Sequence, residues 1–305
     1  MVHATGPPVF ASFRKQSAMK IPFLLFWAFA TLAYGQSRPA NEFHLDKEYP
    51  VSLGGSLRLR SSDAHVVITG SNRTTARVKV DRVVTTRGLG MSNHVFSVEV
   101  IEKDGDLTIQ EKASGTHWFV MGSYQEEYTI HIEIPLGMAL DIDGDDGSYQ
   151  INSIHGAIRL EASDADVALT GCLGNIFSFR LDDGDLTMDG GAGQLSLVGG
   201  DGDLRIANAR FSSADVRLDD GSLVMETALA DNGHYDLDVQ DGLLALTILS
   251  GGGHIRVRHD DARVIANGRF ETLEQTESHT ALKTGVGTAD VRIQAGDGRV
   301  RLQRS

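Results

Sequence analysis

Asp183-Gly184-Asp185-Leu186-Thr187-Met188 is the phrase that decides the fold, because it returns almost unchanged as Asp201-Gly202-Asp203-Leu204-Arg205-Ile206. Its general form is Asp-Gly-x-apolar-x-apolar, with alanine replacing glycine twice. Copies begin at Asp146, Asp164, Asp183, Asp201, Asp220, Asp241, Asp261 and Asp297. From the first copy to Asp261 the steps are 18 to 21 residues. A fixed period in this range is typical of a repeat architecture.

A companion phrase lies about halfway between the copies, as in Gly156-Ala-Ile-Arg-Leu160, Gly193-Gln-Leu-Ser-Leu197 and Gly253-His-Ile-Arg-Val257. Each unit therefore contains two short strands that alternate apolar and polar residues, separated by turns that glycine favours. We predict an all-β, single-stranded β-solenoid (a β-helix or β-roll) with coils of 18 to 21 residues. At about 4.8 Å per coil it would be a rod on the order of 35–40 Å long.

A sandwich or barrel of antiparallel hairpins is the alternative, since regularly spaced short strands suit that architecture too. Stacked coils need the same type of residue at the same position of each coil, whereas the strands of hairpins have no such requirement. The constant phase of the phrase therefore favours the solenoid.

The N-terminus has the pattern of an export signal. Met19-Lys20 precedes an apolar run over 21–33, and Ala33-Tyr34-Gly35 fits the small-x-small cleavage rule. The run is shorter than the ~20 residues that span a bilayer. We predict a leader over 1–35, in which the 18 residues before Met19 are either a misassigned start or an extended positive region with Arg14 and Lys15. The protein is expected to be exported, as a periplasmic, cell-surface or secreted protein, and not integral to the membrane after cleavage.

The remaining chain divides into an N-terminal β segment over 36–140 and the regular repeat over 141–305, with an insertion at 269–284. The first segment is expected to form irregular early coils or a cap over the open end of the solenoid. Loops predicted at 85–93 and 114–125, together with the insertion, are the expected places for partner contacts, because loops on a rigid scaffold often carry recognition.

The composition excludes several classes of partner. The chain has 28 basic and 41 acidic residues and a formal net charge of −13. Nucleic acid would call for a basic face, and anionic lipid would repel this charge. The one cysteine, Cys172, has no partner for an internal disulfide and is expected to be a small buried residue at a turn.

Four segments together resemble the bacterial "putative adhesin" family of β-strand-repeat proteins of unknown function. They are Gly55-Ser-Leu-Arg-Leu59 with His65-Val-Val-Ile-Thr-Gly70, the strand ending Ile132-Glu-Ile-Pro-Leu-Gly137, the repeated Asp-Gly-Asp-Leu, and the closing 285–302. The resemblance implies an exported cell-envelope or secreted β-solenoid. It brings no catalytic residues and no cofactor.

Stacked coils would align the phrase aspartates in one row, with Asp166, Asp185 and Asp203 beside them. Turn chemistry would explain the row, each carboxylate accepting backbone N–H groups of its own turn. Calcium is the other explanation, because it prefers carboxylate and carbonyl oxygens. The candidate ligands are Asp183, Asp185, Asp201, Asp203 and Asp220. The segment 199–204 approaches the calcium-binding nonapeptide repeat, but Leu204 stands where that repeat needs aspartate, so turn chemistry is favoured.

Two further sets of residues are candidates for metal binding or catalysis. His234 and His254 follow equivalent glycines and could stack in neighbouring coils, but zinc usually needs three or four ligands. Asp236 and Asp238 are mildly irregular within the repeat and are the nearest approach to a catalytic acid pair.

These patterns predict a non-catalytic, adhesin-like or scaffold protein that binds an envelope or extracellular protein or glycan through an acidic solenoid. A polysaccharide-active β-helical enzyme and a calcium-stabilised secreted module are the alternatives.

Overall fold

The computed structural model describes residues 42–89, 95–114 and 121–305. The predicted leader over 1–35, residues 90–93 of the predicted loop at 85–93 and residues 115–120 of the predicted loop at 114–125 lie outside these residues. Within the described ranges the chain is all-β, as the sequence predicts, and no helix there is long and apolar enough to cross a membrane.

Nineteen strands make up the described part of the chain. They are β1 (Glu42–Pro50), β2 (Ser56–Ser61), β3 (Ala64–Ser71), β4 (Thr75–Leu89), β5 (Val95–Lys103), β6 (Asp106–Ser114), β7 (Met121–Pro135), β8 (Ala139–Gly144), β9 (Asp146–Asn152), β10 (Ile158–Cys172), β11 (Ile176–Asp183), β12 (Leu186–Gly190), β13 (Ala192–Ala228), β14 (His234–Ser250), β15 (Gly253–His259), β16 (Arg263–Asn267), β17 (Phe270–Gln275), β18 (His279–Thr284) and β19 (Ala289–Arg304).

The central strands stack as coils in parallel register. Each coil contributes two strands. One is formed by the companion phrase and lies on a first face; the other is formed by the Asp-Gly phrase and lies on a second face. On the first face Leu160 lies opposite Ile142 and Phe179. On the second face Val167 lies opposite Tyr149 and Leu186. The long strands β10, β13, β14 and β19 run from one face to the other.

Apolar side chains of matching phase point inward and form one continuous core, because no single coil could bury its apolar edge alone. The rows on the second face include Ile68, Ile151, Leu169, Met188 and Ile206, all of them buried. Cys172 is buried as predicted, with its Sγ 3.6 Å from the carbonyl oxygen of Ile151, and burial raises the pKa of its thiol.

The Asp-Gly turns bring successive coils into close contact. Gly221 has φ 126° and Gly242 has φ 132°, a left-handed region that favours glycine. A Cβ on Gly221 would lie 2.1 Å from the carbonyl oxygen of Gly202, and one on Gly242 would lie 1.9 Å from that of Gly221. The phrase therefore needs glycine for two reasons, its φ angle and the contact with the coil beside it.

The last strand of the chain is not the last strand of the stack. Strand β19 lies between β14 on one side and β15 with β16 on the other. Ile293, for example, has Leu237 and Val257 as its two neighbours. Stacking in chain order would place Asp261 beside Asp241, but β19 places Asp297 there instead.

The first coil is inserted in the same manner. Strands β2 and β3 lie between β6 with β7 and β8 with β9, so that Leu57 has Leu107 and Leu140 as neighbours. Parallel, register-matched stacking therefore includes residues 56–71, ahead of the boundary near 140 that the sequence suggested.

Antiparallel strands cover the ends of the stack. At the N-terminal end β4 pairs with β1 and β7, and β5 pairs with β6. At the C-terminal end the predicted insertion at 269–284 forms a hairpin, β17 with β18, and β18 pairs with β15. Strand β4 continues to Leu89, opposite Met121, so residues 85–89 belong to a strand rather than to the predicted loop.

The inserted position of β19 predicts a large difference between two matched substitutions. Leu302→Ala removes a fully buried side chain with a strand on both sides, and should lower the free energy of unfolding by about 2–5 kcal/mol. Val264→Ala, on the half-buried strand β16 that pairs only with β19, should cost less than about 1.5 kcal/mol. Urea unfolding measures both. Equal small losses would show that the inserted position of β19 does not govern stability.

Candidate functional site

The phrase aspartates form a continuous row at the corner between the two faces, which we call the corner row. Asp164 pairs with Asp146 and Asp183, Asp183 pairs with Asp201, and Asp241 pairs with Asp220 and Asp297. The corner row consists of Asp146, Asp164, Asp183, Asp201, Asp220, Asp241, Asp297 and Asp261, all of them exposed. The predicted alignment of these residues is present, with Asp297 inserted.

A second row runs beside the corner row on the second face, as predicted for Asp166, Asp185 and Asp203. The backbone N–H of Asp185 donates to Oδ1 of Asp166 at 3.3 Å, and that of Asp203 donates to Oδ1 of Asp185 at 2.9 Å. The Ser222 hydroxyl lies 2.6 Å from Oδ1 of Asp203. These carboxylates therefore join neighbouring coils rather than closing their own turns, which corrects the predicted turn chemistry.

The corner row itself has no such bonds. Across residues 42–89, 95–114 and 121–305, no hydrogen bond or ion pair involves a corner-row carboxylate. Neighbouring carboxylates about 4.8 Å apart repel each other by roughly 1 kcal/mol even in water. The corner row is thus an exposed line of like charges, available to a cation or a cationic partner.

The calcium candidates fall into both rows: Asp183, Asp201 and Asp220 in the corner row, Asp185 and Asp203 in the second. Calcium takes six to eight oxygen ligands around one point. Among the residues that the structure describes, no three His, Cys, Asp or Glu side chains converge as a metal site would require. The carboxylates of Asp185 and Asp203 are already engaged as acceptors.

Turn glycines and cross-coil bonds hold the coils without an ion, so we expect calcium to leave thermal stability nearly unchanged. The melting temperature, followed by circular dichroism, should differ by less than about 2 °C between excess EDTA and about 5 mM calcium, because only an ion that binds the folded state raises it further. Magnesium at the same concentration controls for charge screening. A large rise with calcium alone would favour the calcium-stabilised module.

The acidic corner extends beyond the phrase at the N-terminal end. Asp63 precedes Ala64, which lies opposite Gly147 in the next coil. Partial burial raises the pKa of Asp63 above its usual range, and the nearby carboxylates of Asp146, Glu111 and Glu126 raise it further. Asp63-Ala64-His65-Val66-Val67-Ile68 has the form of the phrase with alanine in place of glycine, as after Asp164 and Asp261, but it lies ahead of the regular period and was not predicted to join the row.

The raised pKa of Asp63 predicts that its charged carboxylate lowers the free energy of unfolding, and that this effect depends on pH. A carboxyl whose folded-state pKa exceeds its unfolded value stabilises the fold below the unfolded pKa, and this contribution is lost as the pH rises through the folded value. At pH 7 Asp63→Asn should therefore raise the free energy of unfolding, by at most about 1 kcal/mol at so exposed a site. The gain should disappear near pH 3. Glu277→Gln, exposed on the C-terminal hairpin, is the control, and a gain that persists at low pH would contradict the assignment.

The two histidines are not neighbours in the stack. His234 and His254 both lie opposite Asp290, which stands between them on β19, so the predicted stacking of His234 on His254 is wrong. Asp290 pairs with Arg256 and, at 3.2 Å, with Arg292. No local sequence pattern indicates this contact, because Asp290 comes from the inserted strand.

A shallow groove of about 360 Å³ lies on the first face around these residues, lined by Ser213, Asp215, His234, Asp236, Asp290 and Arg292. Asp236 lies opposite Asp215 and Arg292. Burial raises the pKa of Asp238, with Asp236 and Asp219 contributing in the same direction and Arg217 opposing them. Asp238 lines a second groove of about 530 Å³ with Asp241, Arg258, Asp260 and Asp297. The structure thus separates the predicted pair, Asp236 and Asp238, into two shallow grooves.

Comparison with known proteins gives a family and several solved structures. Residues 55–303 match the family described as Toastrack DUF4097. Among curated proteins no match is found.

Three solved structures are similar to the chain. A "putative adhesin" from Bacteroides fragilis is 12% identical, with 85% of this chain and 96% of that chain covered and a TM-score of 0.49. A "putative cell adhesion protein" from Clostridium sporogenes is 10% identical, with 86% and 100% covered and a TM-score of 0.27. A "putative lipid binding protein" from Parabacteroides distasonis is 11% identical, with 85% and 96% covered and a TM-score of 0.31.

The family match extends from just before β2 to the last residues of β19 and so includes both inserted coils. It agrees with the family resemblance that the sequence motifs predict. The chain belongs to the Toastrack DUF4097 family.

Proposed function

We propose that this protein is a non-catalytic, exported β-solenoid of the cell envelope, adhesin-like or scaffolding, that binds a cationic envelope or extracellular protein or glycan through the corner row. The observation that carries this proposal is the row of exposed aspartates, in register and without partners in the described part of the chain. Such a row offers one charge at every coil on a rigid scaffold.

Regular spacing favours a polymeric partner over a small ligand. Single exposed ion pairs contribute about 0.2–1 kcal/mol each, so one contact would not hold a partner. Several contacts made at once along a matching polymer add, because each later contact forms within the same molecule. A polycationic glycan or a basic protein segment has the extended, repeating charge that this row fits.

The geometry of the corner row also distinguishes it from a catalytic pair. Glycoside hydrolysis requires two carboxyl groups in different environments, one protonated as the acid and one ionised. The corner-row residues are equivalent by the repeat and are all exposed. Equivalence suits a binding surface, where every position does the same thing.

Export is part of the proposal. The predicted leader over 1–35 supports it, and so does the net charge of −13, which suits a partner found outside the cytoplasm, where cationic sugars and basic surface segments are accessible.

Neutralising the centre of the corner row should weaken binding to a polycation. Asp183→Asn, Asp201→Asn and Asp220→Asn combined should reduce the affinity for oligolysine or oligoglucosamine about tenfold, since three lost contacts of about 0.5 kcal/mol each sum to about 1.5 kcal/mol. Isothermal titration calorimetry at about 0.1 M salt, where charges are screened over about 10 Å, measures the change, and the variant should melt no lower than the parent protein because it loses like-charge repulsion.

The matched control changes three acids on the C-terminal hairpin, Glu271→Gln, Glu274→Gln and Glu277→Gln, which alter the net charge equally and are exposed. Its affinity should stay within about twofold, because the effect is local at this ionic strength. Equal losses of affinity in both variants would show that net charge alone causes the loss, and would overturn the proposed site. If the protein releases reducing sugar from a polysaccharide and Asp236→Asn abolishes this activity, polysaccharide hydrolysis replaces binding as the proposed function.

A further inference from the structure

A line of outward side chains on the second face changes sign along the stack. We call it the stripe, and it consists in spatial order of Asp185, Asp203, Ser222, Leu243, Arg299 and Arg263. Two hydrogen bonds set the order at the acidic end: the backbone N–H of Asp203 donates to Asp185, and Ser222 Oγ donates to Asp203. Strand register sets the rest, since Leu243 lies opposite both Ser222 and Arg299, and Arg299 lies opposite Arg263. Acids occupy one end, arginines the other, and a leucine lies between them.

The basic end of the stripe is without counter-charges. Arg263 and Arg299 are exposed and directly opposite each other, and neither makes an ion pair with any described residue. Asp261 and Asp297 precede them by two residues in the corner row, beyond ion-pair distance. Many arginines elsewhere are paired, as Arg58 is with Asp141 at 3.0 Å. Two adjacent unpaired guanidinium groups repel each other and favour an external carboxylate.

The middle of the stripe is apolar. Leu243 is half-buried, and the neighbouring outward line contains Val224, Ala245 and Ile265, also half-buried. Outward positions of a sheet that faces water normally carry polar residues. An apolar centre bordered by charges is the usual composition of a protein–protein contact.

We infer that this surface binds a second copy of the chain, face to face, through a two-fold axis that runs along strand β14. Such an axis places Leu243 and Ala245 against their own copies. It reverses the stripe, so that Asp203 meets the partner's Arg263 and Ser222 meets the partner's Arg299. Each contact occurs twice, as a two-fold interface requires.

The neighbouring outward line is compatible with this axis. It brings Val224 opposite the partner's Arg301 and Arg205 opposite the partner's Ile265, so no like charges meet within this line. A polyanion would gain from the arginines but would be repelled by Asp185 and Asp203, so a surface of both signs favours a copy of itself over a ligand of one sign.

The size of the stripe sets the expected affinity. Four coil steps separate Asp203 from Arg263, about 19 Å along the stack. A patch of this length lies at the lower end of specific interfaces, so the dimer should dissociate in the micromolar range. The inference is independent of the proposed polycation binding, which uses the corner row.

Sedimentation velocity of the purified protein from about 1 to 300 µM should show a monomer–dimer equilibrium that weakens as salt rises from about 0.05 to 0.5 M. Arg263→Asp and Asp203→Arg, each alone, should weaken the dimer at least tenfold, because each turns two attractions into repulsions. The double variant restores both pairs with exchanged signs and should return to within about threefold of the parent protein.

Arg180→Asp is the matched control, exposed on the first face and outside the stripe, and it should leave the dimer unchanged. Leu243→Asp should abolish the dimer through the centre. All variants are first shown by circular dichroism to be folded at the temperature of the experiment. A monomer at every concentration overturns the inference, and so does a double variant no better than the single ones. Heparin binding that Arg263→Asp abolishes, without self-association, would assign the stripe to a polyanion instead.

Discussion

The close approach of successive Asp-Gly turns is the constraint on which the rest of the structure depends. A Cβ on any phrase glycine would lie 2.5 Å or less from a carbonyl oxygen of the neighbouring coil, where a glycine or an alanine holds the equivalent position. The contact fixes the phase of every coil relative to its neighbour, and the parallel ladders on both faces follow from that phase. Because side chains alternate with a period of two, a slip of one residue would turn the whole apolar row outward.

The same constraint permits an order in space that differs from the order in sequence. Coils share one phase, so any coil fits beside any other, and the two inserted coils at the ends use this freedom. The insertion of β19 joins the last residues of the chain to strands formed before it, with long-range pairs such as Leu246 opposite Leu302. Contacts of high sequence separation slow folding, because loop closure costs entropy before the contacts form. A stack in simple chain order would avoid this cost but would leave the chain's last strand as an open edge.

The sequence predicts the period, the all-β class and the alignment of the two acidic rows, because these depend on local spacing and turn chemistry. It does not predict which coils are neighbours. Asp290 stands between His234 and His254 because β19 is inserted, and no local pattern distinguishes an inserted strand from a terminal one. The cross-coil bonds of Asp185 and Asp203 were missed for a related reason: an aspartate after glycine can bond its own turn or the next coil, and only the distance between coils decides.

The two rows of aspartates differ in what they contribute to the fold, and this difference bears on function. Asp166 and Asp185 accept backbone N–H groups of neighbouring coils, and Asp203 accepts the hydroxyl of Ser222, so these side chains stabilise the stack. The corner row makes no such bond within the described residues, and its turns are held by the glycines. Its like charges repel each other at every step. Side chains that cost stability without holding the structure together are explained best by a role outside the fold, and exposed carboxylates in a fixed row can serve it only by meeting positive charge.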